Sequence, residues 1–213
     1  MMLGTQYLAF AARITTMVVP VWLYFLILGL LNSRRTPQLI SGRRDFTLMV
    51  AALSPLFVLP VLQYLGATLV TAAAAVAALV GIVVLLGPRG SAWVIYNMPA
   101  EQARNVIATV LKSLGHEVLP EKDGFRLGGE GASVRIGGFP LLRNISVRLE
   151  GGGRELADRF ESALSQSLAG TRAETTPMAV SMLLIATAMM VLPLTLMAHR
   201  VPELVRILTD LFQ

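Results

Sequence analysis

Between Phe46 and Pro88 the chain reads FTLMVAALSPLFVLPVLQYLGATLVTAAAAVAALVGIVVLLGP, 43 residues without a formal charge. A single helix of that length would run about 64 Å, twice the roughly 30 Å of hydrocarbon in a bilayer. The stretch therefore has to fold back. Gln63-Tyr64-Leu65-Gly66 is the natural place, which gives spans near 46–63 and 66–87. Two more charge-free runs flank it: 20 residues between Arg13 and Arg34, and 25 between Glu174 and Arg200, where only His199 can ionise. Each fits one crossing, near 13–31 and 177–198. The sequence thus predicts a membrane α-helical protein with four transmembrane helices.

The 213 residues average 54% hydrophobic and 15% charged, with a mean hydropathy of +0.65. Those averages blend two unlike regions. Residues 88–176 hold 21 of the 31 charges, and the other 124 positions hold ten. Disorder is excluded, because a disordered chain combines low hydrophobicity with high net charge. With no cysteine, a disulfide scaffold and a thiolate metal site are excluded too. A cleavable signal is not expected: Arg13 is the first charge, and the apolar run continues through Trp22-Leu23-Tyr24-Phe25.

Arginine bias sets the expected orientation. Arg34, Arg35, Arg43 and Arg44 lie in the first loop, and Arg89 and Arg172 border the charged region. An even number of spans separates these two segments, so they share a side. The opposite side has Arg13, Arg200 and Arg206. In a bacterial inner membrane this puts residues 88–176 in the cytoplasm and both termini outside.

No ionisable residue lies well inside a span, so a carboxylate relay is not expected. A pore lined by hydroxyls such as Thr15, Ser54 or Thr187 stays open as a reading. Pro20, Pro55, Pro60 and Pro193 interrupt the spans, and without an internal repeat they read as ordinary kinks. The third span repeats small residues at spacing four (Ala67, Thr71, Ala75; Ala74, Ala78), which lets helix backbones approach closely in lipid. The neighbour is either the chain's own spans or a partner subunit. The fourth span carries Met178, Met182, Met189, Met190 and Met197, but no Cys or His accompanies them within it. Packing is the reading, rather than Cu(I). After it, Val201, Leu204, Val205, Leu208, Leu211 and Phe212 follow helical spacing, an amphipathic helix suited to the interface.

Residues 88–176 alternate strand and helix signals. After a strand near 91–97 and a helix come short strands around 116–119, 124–127, 133–136 and 144–150, then a second helix. The order is β-α-β-β-β-α if two of the central strands merge into a bent hairpin. One-sided helices near 99–115 and 154–168 would cover one face of a mainly antiparallel sheet. The expected fold is an inserted α+β ferredoxin-like domain between the third and fourth spans. Alternation turns Phe125, Leu127, Val134, Ile136, Ile145, Val147 and Leu149 toward the helices. Arg126, Arg135 and Arg148 then share the open face, a possible interaction face for anionic lipid, an acidic partner or nothing but solvent. No stacking aromatics accompany them, and eleven basic residues meet ten acidic ones across 88–176, so nucleic acid is not an expected partner.

Gly151, Gly152, Gly153 and Arg154 lie between a strand and a helix, where free amide groups bind anions. They form a possible anion-binding turn, without the spacing of a P-loop. His116 and His199 fall on opposite sides of the membrane, and no catalytic spacing appears. No catalytic residue, metal or cofactor is assigned. The functional expectation is a non-catalytic accessory or scaffolding subunit, with the bilayer and a membrane-protein partner or second copy as its contacts. The alternatives are a small oligomeric transporter or channel, and a membrane-tethered anion or nucleotide sensor.

Overall fold

The computed structural model describes residues 2–129, 131–139, 144–173 and 177–198. Its elements begin with α1 (Met2–Ser33), β1 (Gln38–Ser41), α2 (Gly42–Leu65), α3 (Leu69–Leu86) and β2 (Ser91–Tyr96). Then come α4 (Ala100–Ser113), β3 (Val118–Glu121), β4 (Gly124–Leu127), β5 (Ser133–Phe139), β6 (Asn144–Glu150), α5 (Gly153–Ala169) and α6 (Pro177–Ala198). Among the described residues, four helices are long and apolar enough to cross a membrane: α1 from Arg13, α2, α3 and α6 up to Thr195. The amphipathic segment expected at 201–213 and His199 lie outside the described residues.

The fold-back occurs where the length arithmetic requires it. Leu65 ends α2, and Gly66 turns the chain with a φ of 87°, a region that favours glycine. Thr68 then caps α3: its hydroxyl accepts from the Thr71 N–H at 3.2 Å, while its own N–H donates to Thr71 Oγ1 at 3.0 Å. Helix α1 starts far upstream of Arg13, because no proline or charge interrupts residues 2–12. It packs against α6. A Cβ added at Gly29 would lie 2.8 Å from Leu183 Cδ2, so the missing side chain permits this close approach. Helix α3 is the opposite case, with no buried residue along its length.

The six strands form one antiparallel sheet in the order β1-β2-β6-β5-β4-β3. This corrects the expected plait. The four strand stretches expected after α4 are present as separate strands, but none of the pairs is parallel, whereas a ferredoxin-like fold is built on split β-α-β units. The reason is local. The connections from β3 to β4 and from β4 to β5 are too short for a crossover, so β3 to β6 meander back to β2. The second difference is β1. The loop between α1 and α2 supplies an edge strand, with Leu39 opposite Ile95 and Ile40 opposite Val94. The sheet thus draws one strand from outside 88–176.

One face of the sheet is covered by α4 and α5. Trp93, Ile95, Phe125, Leu127, Val134, Ile145, Val147 and Leu149 meet Ile107, Leu111, Phe160 and Leu164 in a single apolar core. The Phe160 and Trp93 rings lie 5.5 Å apart. Every residue that alternation turned inward is in this core, Ile136 only partly buried. On the other face, Ile40, Val94 and Tyr96 pack on Tyr24, Leu28 and Leu31 of α1 and on Met178 and Met182 of α6. These two methionines fill space around an aromatic ring.

Candidate functional site

The seam between helices and sheet concentrates the buried polar groups. Asn32 and Asn97 are the buried polar residues among those described, 1% and 0% exposed. Asn97 follows β2 with a φ of 61°, a conformation that asparagine tolerates better than most residues. Its backbone N–H donates to Asn32 Oδ1 at 3.1 Å, and its side-chain Nδ2 donates to the Arg34 carbonyl at 2.8 Å. Asn32 Nδ2 in turn donates to the Leu28 carbonyl at 3.0 Å. The chain leaving the sheet for α4 is thus tied to the last turn of α1.

Beside it, the Tyr96 hydroxyl donates to the Asp45 carboxylate in the first turn of α2. Burial pushes the Tyr96 phenol above its ordinary range, and the Asp45 hydrogen bond pushes it further. The Ala173 N–H donates to the Arg35 carbonyl at 2.7 Å, which brings in the segment that leads to α6. Tyr, Asp and two Asn side chains in this arrangement hold elements together. Among the described residues, no group of three or more His, Cys, Asp or Glu could hold a metal.

Outside the seam, a cleft of about 510 Å³ lies between the first turns of α2 and the uncovered half of the sheet. Arg135 and Arg148 both line it, directly opposite each other on β5 and β6. Arg135 Nε pairs with Glu150 at 3.1 Å, whereas Arg148 has no ion pair or hydrogen bond among the described residues. Arg126 is on the same face, ion-paired with Glu121, and does not line the cleft. The structure therefore groups two of the three arginines singled out by alternation.

The glycine turn is separate. Gly151, Gly152 and Gly153 have φ of 79°, 76° and 73°, and α5 begins at Gly153 with no side-chain cap. Gly152 borders a cleft with His116, Glu155 and Arg159, while Arg154 is exposed and not part of its lining. Glu155 already supplies a negative charge to the first turn of α5 and pairs with Arg159.

Sequence reasoning missed the seam. Its signals were faint: an asparagine ending an apolar run, a lone acid after four arginines, and Asn-Met-Pro closing a strand. Comparison of the chain with protein families, curated proteins and solved structures finds no match.

Proposed function

We propose that the protein is a multi-pass membrane protein acting without catalysis, as an accessory or scaffolding subunit of a membrane complex. The sheet and its two helices would lie on the cytoplasmic side, with both termini outside. The observation that supports this reading is α3. It has a mean hydropathy of 2.8 across its span, yet none of its residues is buried. Gly81 has nothing within 4 Å of where a Cβ would stand. In lipid, helices associate by close packing, and small residues make that packing possible. A helix built for close approach, which meets chiefly α2 and keeps no residue fully buried, fits a role in holding a second membrane helix. The seam would then fix the sheet to the same bundle, so that a partner in the membrane and one in solution share a rigid support.

The test compares two glycines. Gly29→Leu forces a large side chain between α1 and α6 and should cost about 3 kcal/mol, seen as a lower melting temperature in mild detergent. Gly81→Leu should leave that melting temperature unchanged and remove a co-purifying partner, or a second copy, from a mild-detergent pull-down read by mass spectrometry. A wild-type chain that purifies alone and monomeric would sink the scaffold reading.

A further inference from the structure

The sheet face that meets α1 and α6 is only half covered by them. The β1–β2 half packs on the helices. On the same face of β6 and β5, Arg148 and Arg135 are cross-strand neighbours. Like charges directly opposite in a sheet repel and destabilise it. Glu150 compensates one of the two, and Arg148 is left without a carboxylate. Of the other acids lining this cleft, Asp45 is engaged by Tyr96 and Asp123 is exposed. A built-in like-charge pair at the wall of a cleft is a place for an anion.

The opposite wall says which kind. It is made by Gly42, Asp45, Phe46 and Met49, the first two turns of α2. Asp45 is the last charge before the 43-residue apolar run, so hydrocarbon would begin near Phe46. Gly42 to Met49 covers about 10 Å along the helix, comparable with the headgroup layer of roughly 5–8 Å plus the first acyl carbons. The cleft therefore carries the two arginines on its sheet side and, past Asp45, Phe46 and Met49 on its helix side, at the depth where lipid changes from headgroup to hydrocarbon. Arg43, Arg44 and Arg89 surround this level, all exposed.

We propose that this cleft holds the headgroup of an anionic phospholipid from the leaflet on the sheet side. The phosphate would sit between Arg148 and Arg135, beside the Ser146 hydroxyl. The glycerol and upper acyl carbons would lie along Phe46 and Met49. A free phosphate would leave that apolar wall unused, so the site is assigned to lipid. The inference rests on the membrane reading proposed above.

The full-length protein in mild detergent is titrated with phosphatidylglycerol and with phosphatidylcholine, and bound lipid is counted by native mass spectrometry. One phosphatidylglycerol should be retained per chain in preference to phosphatidylcholine. Arg148→Ala should weaken that retention about tenfold, as expected for one charge-assisted contact. Arg126→Ala, on the same face but outside the cleft, should change it less than about twofold. Equal losses in the two variants, or no preference in the wild type, would overturn the proposal. So would displacement of the lipid by millimolar inorganic phosphate, which would mark a site for free anions. Should Arg148→Ala fail to accumulate, Ser146→Asp places a carboxylate in the same cleft, and wild-type retention in that variant overturns the assignment equally. Protein washed from membranes by alkaline carbonate would break the membrane reading. Protein that resists the wash yet shows no lipid preference breaks only the lipid site.

Discussion

The two faces of the sheet come from one alternating pattern, yet they are finished in different ways. Toward α4 and α5 the strands bury Trp, Val, Ile, Leu and Phe side chains in an apolar core, with Arg104 of α4 at its margin, over the Phe125 ring. Toward α1 and α6 the fully buried apolar set shrinks to Leu28, Tyr96 and Met182, and hydrogen bonds from Asn97 and Tyr96 complete the contact. Apolar contact is non-directional and tolerates sliding. A backbone N–H aimed at one amide oxygen does not. The dry face accounts for most of the folding energy of the sheet, and the polar seam fixes where the sheet sits on the helices.

The largest expected effect falls on the dry face. Phe160→Ala removes a fully buried ring packed on Trp93 and should cost about 3–5 kcal/mol in thermal unfolding. If a single seam substitution costs more than Phe160→Ala, the division of labour between the faces is wrong.

Next comes Asn97, where two replacements separate two causes. Asn97→Ala loses the side-chain hydrogen bond and must also hold a positive φ, for a combined cost of about 3 kcal/mol. Asn97→Gly keeps the backbone conformation easily and should cost only about 1–2 kcal/mol. Equal melting temperatures for the two variants would show that backbone conformation contributes nothing at this joint.

The smallest effect should be Tyr96→Phe, at about 1–2 kcal/mol, since the ring stays and one hydrogen bond to a carboxylate is lost. It carries a pH signature. The phenol is held above its ordinary value in the folded protein, so the unfolded chain ionises first as pH rises. The stability that the bond contributes is complete below about pH 10, the ordinary tyrosine value, and falls above it. The gap in melting temperature between wild type and Tyr96→Phe should be constant from about pH 7 to 9 and shrink beyond about pH 10. A gap that stays constant through the alkaline range would mean that this hydroxyl does not report on the seam.

What the sequence makes legible here is what short windows encode. Missing charge marks α2, α3 and α6 within a few residues of their ends, and the C-terminal end of α1, whose start lies far upstream of Arg13. Gly124–Leu127 and Asn144–Glu150 are readable as strands from alternation and flanking glycines alone. The order of the strands depends on which turns are too short for a crossover, a property of the connections that a list of strands and helices leaves out. β1 is harder still. Gln38-Leu39-Ile40-Ser41 has two apolar residues between arginine pairs, and its partner begins 50 positions later, at Ser91. The Asn97 contact to Asn32 spans 65 positions, and polar residues have no periodicity that would reveal such a partnership. The arginine face was readable as a face. Its meeting with α2 was not, because that depends on how the sheet is seated.

The edge strand β1 has a consequence for anyone wishing to work with the sheet in isolation. A fragment cut at Pro88 would remove the residues opposite Trp93, Val94, Ile95 and Tyr96 and bare the outer margin of β2. Such a margin offers unpaired backbone donors and acceptors to any extended peptide, another copy of the fragment included. The excised piece would be adhesive rather than inert, and a truncation meant to yield a tidy soluble module would need Gln38–Ser41 stitched back onto it.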